Sequence, residues 1–147
     1  MTKFRSIIVT LFMIVSFVGL ADAGYLTYEH YAEIPLPCSN FACETVTTSE
    51  YSVLFGVIPL ALLGVFYYLG VLMTSVYVYL TEKTNVLKVL SLFTGLGLIT
   101  SVYLVYLQVS VIHAICIYCM ASAGTSTLLF VLGMVYLQVF KNKDISS

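Results

Sequence analysis

Residues 53–80 read VLFGVIPLALLGVFYYLGVLMTSVYVYL, an apolar run that contains no charged side chain. A helix needs about 20 mainly apolar residues to cross the hydrocarbon core of a bilayer, and this run is longer than that. The run also lacks the alternation of polar and apolar residues that is typical of a membrane barrel strand. It therefore predicts a membrane-spanning helix.

Three further apolar runs of comparable length lie at residues 6–28, 89–107 and 112–140. Of the 147 residues, 61% are hydrophobic and only 9% are charged, compared with about 25% charged residues in an ordinary soluble domain. We therefore expect an all-α membrane protein, a single domain over residues 1–147 that folds as a four-transmembrane-helix bundle. The 6 basic residues and the net charge of -1 exclude an electrostatic nucleic-acid binder.

The basic residues predict how the bundle is oriented, because Lys and Arg near the ends of spans stay on the cytoplasmic side. They precede the first run, separate the second from the third, or follow the fourth: Lys3, Arg5, Lys83, Lys88, Lys141 and Lys143. We therefore expect an integral protein of the cytoplasmic membrane with both termini in the cytoplasm. The segments 29–52 and 108–111 contain no Lys or Arg, so we expect an external loop between helices 1 and 2 and a short external link.

The N-terminus permits a second interpretation, a cleavable signal peptide. Two basic residues precede an apolar run that ends in the small-residue sequence Ala21-Asp22-Ala23, as at a signal-peptide cleavage site. Cleavage before Gly24 would leave three spans in the same orientation. The apolar run is long for the core of a signal peptide, so we prefer the four-helix prediction.

The four cysteines form two close pairs on the predicted outer side. Cys38 and Cys43 lie in the external loop, where a structural disulfide would brace the chain in the oxidising bacterial periplasm. Cys116 and Cys119 are three positions apart, so a helix would place them on one face and let them form a disulfide. A helix N-terminus favours the thiolate, and closing so small a ring adds little stability. The second pair therefore favours redox activity over a structural disulfide.

The electron acceptor must be compatible with a membrane dithiol. A zinc site built from the four cysteines and His113 is a weaker alternative, because it leaves the apolar bundle unexplained, and we expect no metal. The sequence contains neither a haem-attachment motif nor a glycine-rich dinucleotide-binding motif. A membrane quinone could reach a thiolate at the end of the fourth helix from within the bilayer. The predicted order of electron flow is partner dithiol, loop cysteines, helix cysteines, quinone.

Three stretches of the chain stand out together: YLTY at 25–28, SEYSVLFGVIPLALLG at 49–64 and CIYCMASA at 116–123. They resemble the vitamin K epoxide reductase family. The chain resembles the bacterial or archaeal membrane domain of that family, without a fused thioredoxin-like domain. The resemblance implies a thiol:quinone oxidoreductase that oxidises a periplasmic thioredoxin-like dithiol protein and so supports disulfide-bond formation. The implied acceptor is a membrane quinone of the ubiquinone, menaquinone or vitamin K type.

The resemblance also implies a role for each cysteine. Cys38 would meet the partner protein, and Cys43 would form a transient disulfide with Cys116. Cys119 would be the thiolate nearest the quinone.

Further residues are candidates for the same site. We predict that Ser49, Tyr51 and Phe55 contact the quinone, with Tyr51, near the expected mouth of the site, as the candidate hydrogen-bond donor. Ser49 would steady the loop or the site, or cap the second helix. His113 could accept a proton from the nearby thiols, and Asp22 would be an acid within the membrane. The alternative for both is a polar anchor at the membrane interface.

Three other functions are compatible with the sequence. Reduction of vitamin K epoxide as the main role would use the same dithiol at the same place. A second type of four-helix bacterial disulfide oxidase carries its C-x-x-C in the first external segment, whereas this chain carries it at the fourth helix. A non-enzymatic membrane scaffold with two structural disulfides would lose stability, and no electron transfer, when Cys119 is changed.

Overall fold

The computed structural model describes residues 3–33, 45–46 and 49–145. Within these residues, four long helices form the bundle: α1 (Lys3–Ala32), α2 (Leu60–Thr81), α3 (Thr84–Tyr106) and α4 (Ile117–Ile145). A π-helix at Leu107–Ile112 continues α3, and a 3-10 helix lies at Glu50–Ser52. Four helical segments are each long and apolar enough to cross a membrane, which confirms the predicted four-helix membrane bundle.

A short β-hairpin precedes α2, and here the structure differs from the predicted helix start at residue 53. Val53–Leu54 (β1) pairs antiparallel with Ile58–Pro59 (β2), with Leu54 opposite Ile58. Phe55 and Gly56 at the tip have positive φ angles of 56° and 72°, which lie outside right-handed helical geometry. The hydrophobicity of a run does not reveal a turn within it. The helix predicted from the apolar residues 53–80 therefore included the residues of the hairpin.

A second difference lies between the third and fourth helices. The sequence predicted an external link at 108–111 and a fourth helix from 112, whereas the π-helix carries helical backbone through to Ile112. His113 ends this segment with a φ of 53°, and α4 begins only at Ile117. The first helix is also longer than expected, because α1 continues past residue 28 to Ala32.

Small residues bring α1 and α2 close together. A Cβ at Gly19 would overlap the ring of Tyr68, and one at Gly64 would lie 3.3 Å from the Cβ of Ala23. The Tyr68 side chain is fully buried, and its hydroxyl donates to the Ser122 carbonyl on α4 at 2.7 Å. Tyr68 therefore ties α1, α2 and α4 into one core.

The outside of the bundle is covered with large apolar side chains. Phe66, Leu92 and Ile99 are examples from α2 and α3, and all three are exposed. A contiguous apolar surface of this kind is unfavourable in water and favourable in lipid, because lipid tails are as apolar as the side chains. The structure is therefore that of an integral membrane protein.

The two ends of the bundle differ in chemistry. At one end the Arg5 guanidinium lies 3.4 Å from the Glu82 carboxylate, which joins the start of α1 to the turn between α2 and α3. Because the helices alternate in direction, the hairpin, the π-helix and the start of α4 lie at the other end. Cys116 and Cys119 are therefore at the end away from this ion pair.

Candidate redox site

Cys116 is the residue immediately before α4, and its side chain is completely buried against Val46 and Ala114. Both Cys116 and Cys119 are free thiols. The Cys119 thiol and the backbone N–H groups of Cys119 and Tyr118 are close enough to stabilise negative charge on the Cys116 sulfur. These donors lower the pKa of Cys116, with the Cys119 thiol contributing most, although burial opposes them. The start of α4 therefore favours a thiolate at Cys116.

Gln108 holds the segment that leads into α4, and sequence analysis missed it. Its side chain is buried, and its Oε1 accepts the backbone N–H of Cys116 at 3.1 Å. Its backbone carbonyl accepts the N–H of Ala114 at 3.1 Å and that of His113. The sequence placed Gln108 in an outward-facing link, but the π-helix turns it into the protein. The available signal was an amide side chain at the end of an otherwise apolar run.

Cys119 lies on the wall of a cavity of about 270 Å³ inside the bundle. All four helices contribute to the lining, and α4 contributes one face: Cys119, Ser122, Ala123 and Ser126. Most of the other residues that line the cavity are aliphatic or aromatic, among them Leu63, Tyr67 and Leu96. The chamber can therefore hold an apolar ring next to a thiol.

The predicted quinone-site residues divide into two groups. Ser49 and Tyr51 line the cavity, and the Ser49 hydroxyl donates to the Val46 carbonyl at 2.7 Å. Ser49 does not cap the second helix, because α2 begins at Leu60 and its N-cap residue is Pro59. Phe55 is outside the cavity lining, because it is 91% exposed at the hairpin tip. The positive φ at Phe55 belongs to the turn of the hairpin.

The loop cysteines Cys38 and Cys43 lie outside the described residues. His113 is exposed in left-handed geometry and ends the π-helix. Asp22 has a buried Oδ2 with no hydrogen-bond partner among the described side chains. Its charge acts against a thiolate at Cys116 and raises the pKa of that thiol, although it is the smallest of the contributions.

The fold and the site together define a class, a four-helix membrane protein with a dithiol at a helix N-terminus and a cavity beside it. A family model described as the vitamin K epoxide reductase family matches residues 10–134. The chain belongs to this family, and the resemblance found in the sequence is confirmed. Membership in this family implies that the protein is an oxidoreductase, and the family's chemistry is that of disulfides and quinones. A comparison with curated proteins gave no match.

Proposed function

We propose that the protein is a thiol:quinone oxidoreductase with its active site at the outer face of the cytoplasmic membrane, where it sustains disulfide-bond formation. The observation that carries the proposal is the position of Cys119. Its thiol is paired with Cys116 and lies on the wall of an apolar cavity within the membrane bundle. A lipid-soluble acceptor is the electron acceptor that such a chamber would admit.

The proposed reaction exchanges electrons and protons only between the cysteines of the chain and its two substrates, the partner dithiol and the quinone. As the disulfide between Cys116 and Cys119 forms, the two thiols release two electrons and two protons, which convert one quinone to one quinol. The cavity supplies an apolar, water-poor surrounding for that transfer. Leu63 and Leu96 line the cavity and are also exposed on the outside of the bundle. The side between α2 and α3 is therefore our proposed route for a quinone from the bilayer.

The pair at α4 is reduced again by the loop pair. Cys43 attacks the Cys116 sulfur of the disulfide, which forms a Cys43–Cys116 bond and releases Cys119 as a thiolate. Cys38 then attacks Cys43, which forms the loop disulfide and releases Cys116. A thiol with a lowered pKa is the better leaving group, and the hydrogen bonds at Cys116 supply that property.

Chain connectivity supports this exchange. Val46 packs against Cys116, and Cys43 is only three residues before Val46 in the sequence. Three residues span at most about 11 Å, so the length of chain between Cys43 and Val46 is compatible with the proposed Cys43–Cys116 bond. The loop disulfide then oxidises a thioredoxin-like dithiol protein outside the membrane, and this partner supplies the next electron pair.

Quinone reduction by the purified protein in detergent tests the proposal, with a reduced thioredoxin-like protein as electron donor and quinone absorbance as the readout. We expect turnover in the wild type and its loss in Cys119→Ala. Met120→Ala is the matched control, because Met120 is the next residue on α4, is exposed and does not line the cavity.

Two further outcomes separate the steps. Cys43→Ala should lose turnover driven by the protein donor and keep turnover driven by dithiothreitol, which reduces the α4 pair directly. A folded wild type that reduces no quinone while both its disulfides stay intact would support the scaffold alternative and contradict the proposal.

A further inference from the structure

Tyr67 and Tyr68 are adjacent on α2, yet their hydroxyl groups have opposite surroundings. The Tyr68 hydroxyl has four oxygen neighbours, from Ser122, Thr125 and Ser126, at 2.7 to 3.2 Å. The Tyr67 hydroxyl is buried and has no hydrogen-bond partner in the part of the chain that the structure describes. Buried polar groups without a partner are rare in native proteins, and each one calls for an explanation.

The position of the Tyr67 hydroxyl is fixed by α3. The ring stacks on Phe93, with centroids 5.6 Å apart and an interplanar angle of 28°. The hydroxyl lies over Gly97, where a Cβ would overlap it. A glycine at position 97 therefore lets the phenol reach this place, and the stacking holds the ring there.

The cavity provides the missing partner. Tyr67 and Gly97 line the same cavity as Cys119. A phenol is a hydrogen-bond donor, and the proposed quinone substrate carries two carbonyl acceptors. A ring next to the Cys119 thiol can therefore present an oxygen to the Tyr67 hydroxyl within one small chamber.

We propose that the Tyr67 hydroxyl donates a hydrogen bond to a carbonyl oxygen of the quinone, an assignment that rests on the proposed function. The electrons still come from the Cys116 and Cys119 dithiol, and Tyr67 keeps its proton. The bond orients the ring and becomes stronger as negative charge develops on the oxygen during reduction. Tyr51, the donor expected from the sequence, is 51% exposed and so is a weaker donor in this role.

Tyr67→Phe tests the assignment, because it removes only the hydroxyl. With menadione as the quinone, we expect kcat/KM to fall about tenfold, the range of one hydrogen bond to a group that gains charge. Thermal stability should be unchanged or higher, because the variant removes a buried unpaired group. Tyr103→Phe is the control, since Tyr103 is exposed on α3 and does not line the cavity.

A second readout does not depend on turnover. Infrared difference spectra of bound menadione labelled at its carbonyl carbons should show one carbonyl stretch lowered by hydrogen bonding in the wild type. In Tyr67→Phe that band should return to the frequency of an unbonded carbonyl.

Gly97→Ala provides an independent perturbation, because its Cβ displaces the hydroxyl without deleting it. Gly95→Ala is the matched control on the same helix, since a Cβ there would meet only Phe130, at 3.8 Å. We expect Gly97→Ala to reproduce the loss in kcat/KM and Gly95→Ala to leave kcat/KM unchanged.

The outcomes separate this assignment from the function on which it rests. A wild type that reduces menadione, with Tyr67→Phe equal to it in kcat/KM and in carbonyl frequency, would overturn the assignment alone. The Tyr67 hydroxyl would then be satisfied by bound water. No reduction of menadione or of a ubiquinone analogue by the folded wild type would overturn the proposed function and this assignment with it.

Discussion

At the scale of single residues, the reactivity of Cys116 depends on its neighbour Cys119. The Cys119 thiol is the strongest of the donors that lower the pKa of Cys116. In Cys119→Ala this donor is absent, so the alkylation rate of Cys116 should rise only at higher pH than in the wild type. Cys119→Ser keeps a donor and should restore most of the wild-type profile. Iodoacetamide labelling across pH, resolved by peptide mass spectrometry, measures the Cys116 rate separately from the other thiols.

The same hydrogen bonds link stability to pH, and the sign follows from the direction of the shift. Between the lowered pKa of folded Cys116 and the ordinary value of about 8.5, the unfolded chain binds more protons than the folded one. The free energy of unfolding of the reduced protein should therefore gain a contribution as pH rises through this window and lose it as pH falls through the lowered pKa. Superimposable alkylation profiles for the wild type and Cys119→Ala would contradict this account.

Gln108 should stabilise the same segment through its side-chain carbonyl. Gln108→Leu leaves the buried N–H of Cys116 without its acceptor, which costs about 1–3 kcal/mol of stability. We expect a lower unfolding midpoint in detergent and slower exchange at the C-x-x-C pair. Gln108→Glu keeps an acceptor, and burial should keep its carboxyl group protonated and neutral, so this variant should recover much of the lost stability.

Val109→Leu is the control for Gln108→Leu, since Val109 is the next residue of the π-helix and is exposed. Equal midpoints for Gln108→Leu and Val109→Leu would show that the bond to Cys116 contributes nothing to stability.

At the scale of helices and strands, the apolar runs were sufficient to predict four spans, and the cysteine spacing predicted that Cys116 and Cys119 lie near each other, as they do. The hairpin before α2 could not be predicted, because its turn at Phe55 and Gly56 lies inside an apolar run. Gln108 and Tyr67 could not be assigned to the cavity for a related reason. Whether a residue faces the inside or the outside of the bundle depends on the rotation of its helix and on the π-helix. Neither can be deduced from the hydrophobicity of the run.

The contact between α1 and α2 depends on the absence of a side chain at Gly19. A Cβ there would overlap the Tyr68 ring, and the ring cannot retreat because its hydroxyl is bonded to α4. Gly19→Ala should therefore destabilise the bundle by about 1–3 kcal/mol, as overpacked cores do. Thermal unfolding of the purified protein in detergent measures the loss.

Gly24→Ala is the control on the same helix, because nothing lies within 4 Å of a Cβ at position 24. It should change the free energy of unfolding by less than about 0.5 kcal/mol. If both variants unfolded at the wild-type temperature, α1 and α2 would not pack as the structure shows.

At the scale of the whole molecule, the proposal requires the cysteines to face an oxidising compartment. Lys3, Arg5 and Lys83 lie at the end of the bundle opposite to Cys116. Basic residues stay on the cytoplasmic side, so Cys116 is expected on the outer side. The orientation decides function, because cytoplasmic thiols are kept reduced and disulfides persist outside.

Protease sites inserted at the two ends test this orientation in a bacterial host. A site after Glu82, in the turn between α2 and α3, should be cut in inverted membrane vesicles and protected in spheroplasts. A site between Phe55 and Gly56, at the exposed hairpin tip, should show the opposite pattern. Because each insertion controls for the other, a general leak of the vesicles would cut both. If the pattern were reversed, the Cys116 and Cys119 pair would face the reducing cytoplasm. A thiol oxidase on that side would then be opposed by the reducing thiol redox potential of the cytoplasm.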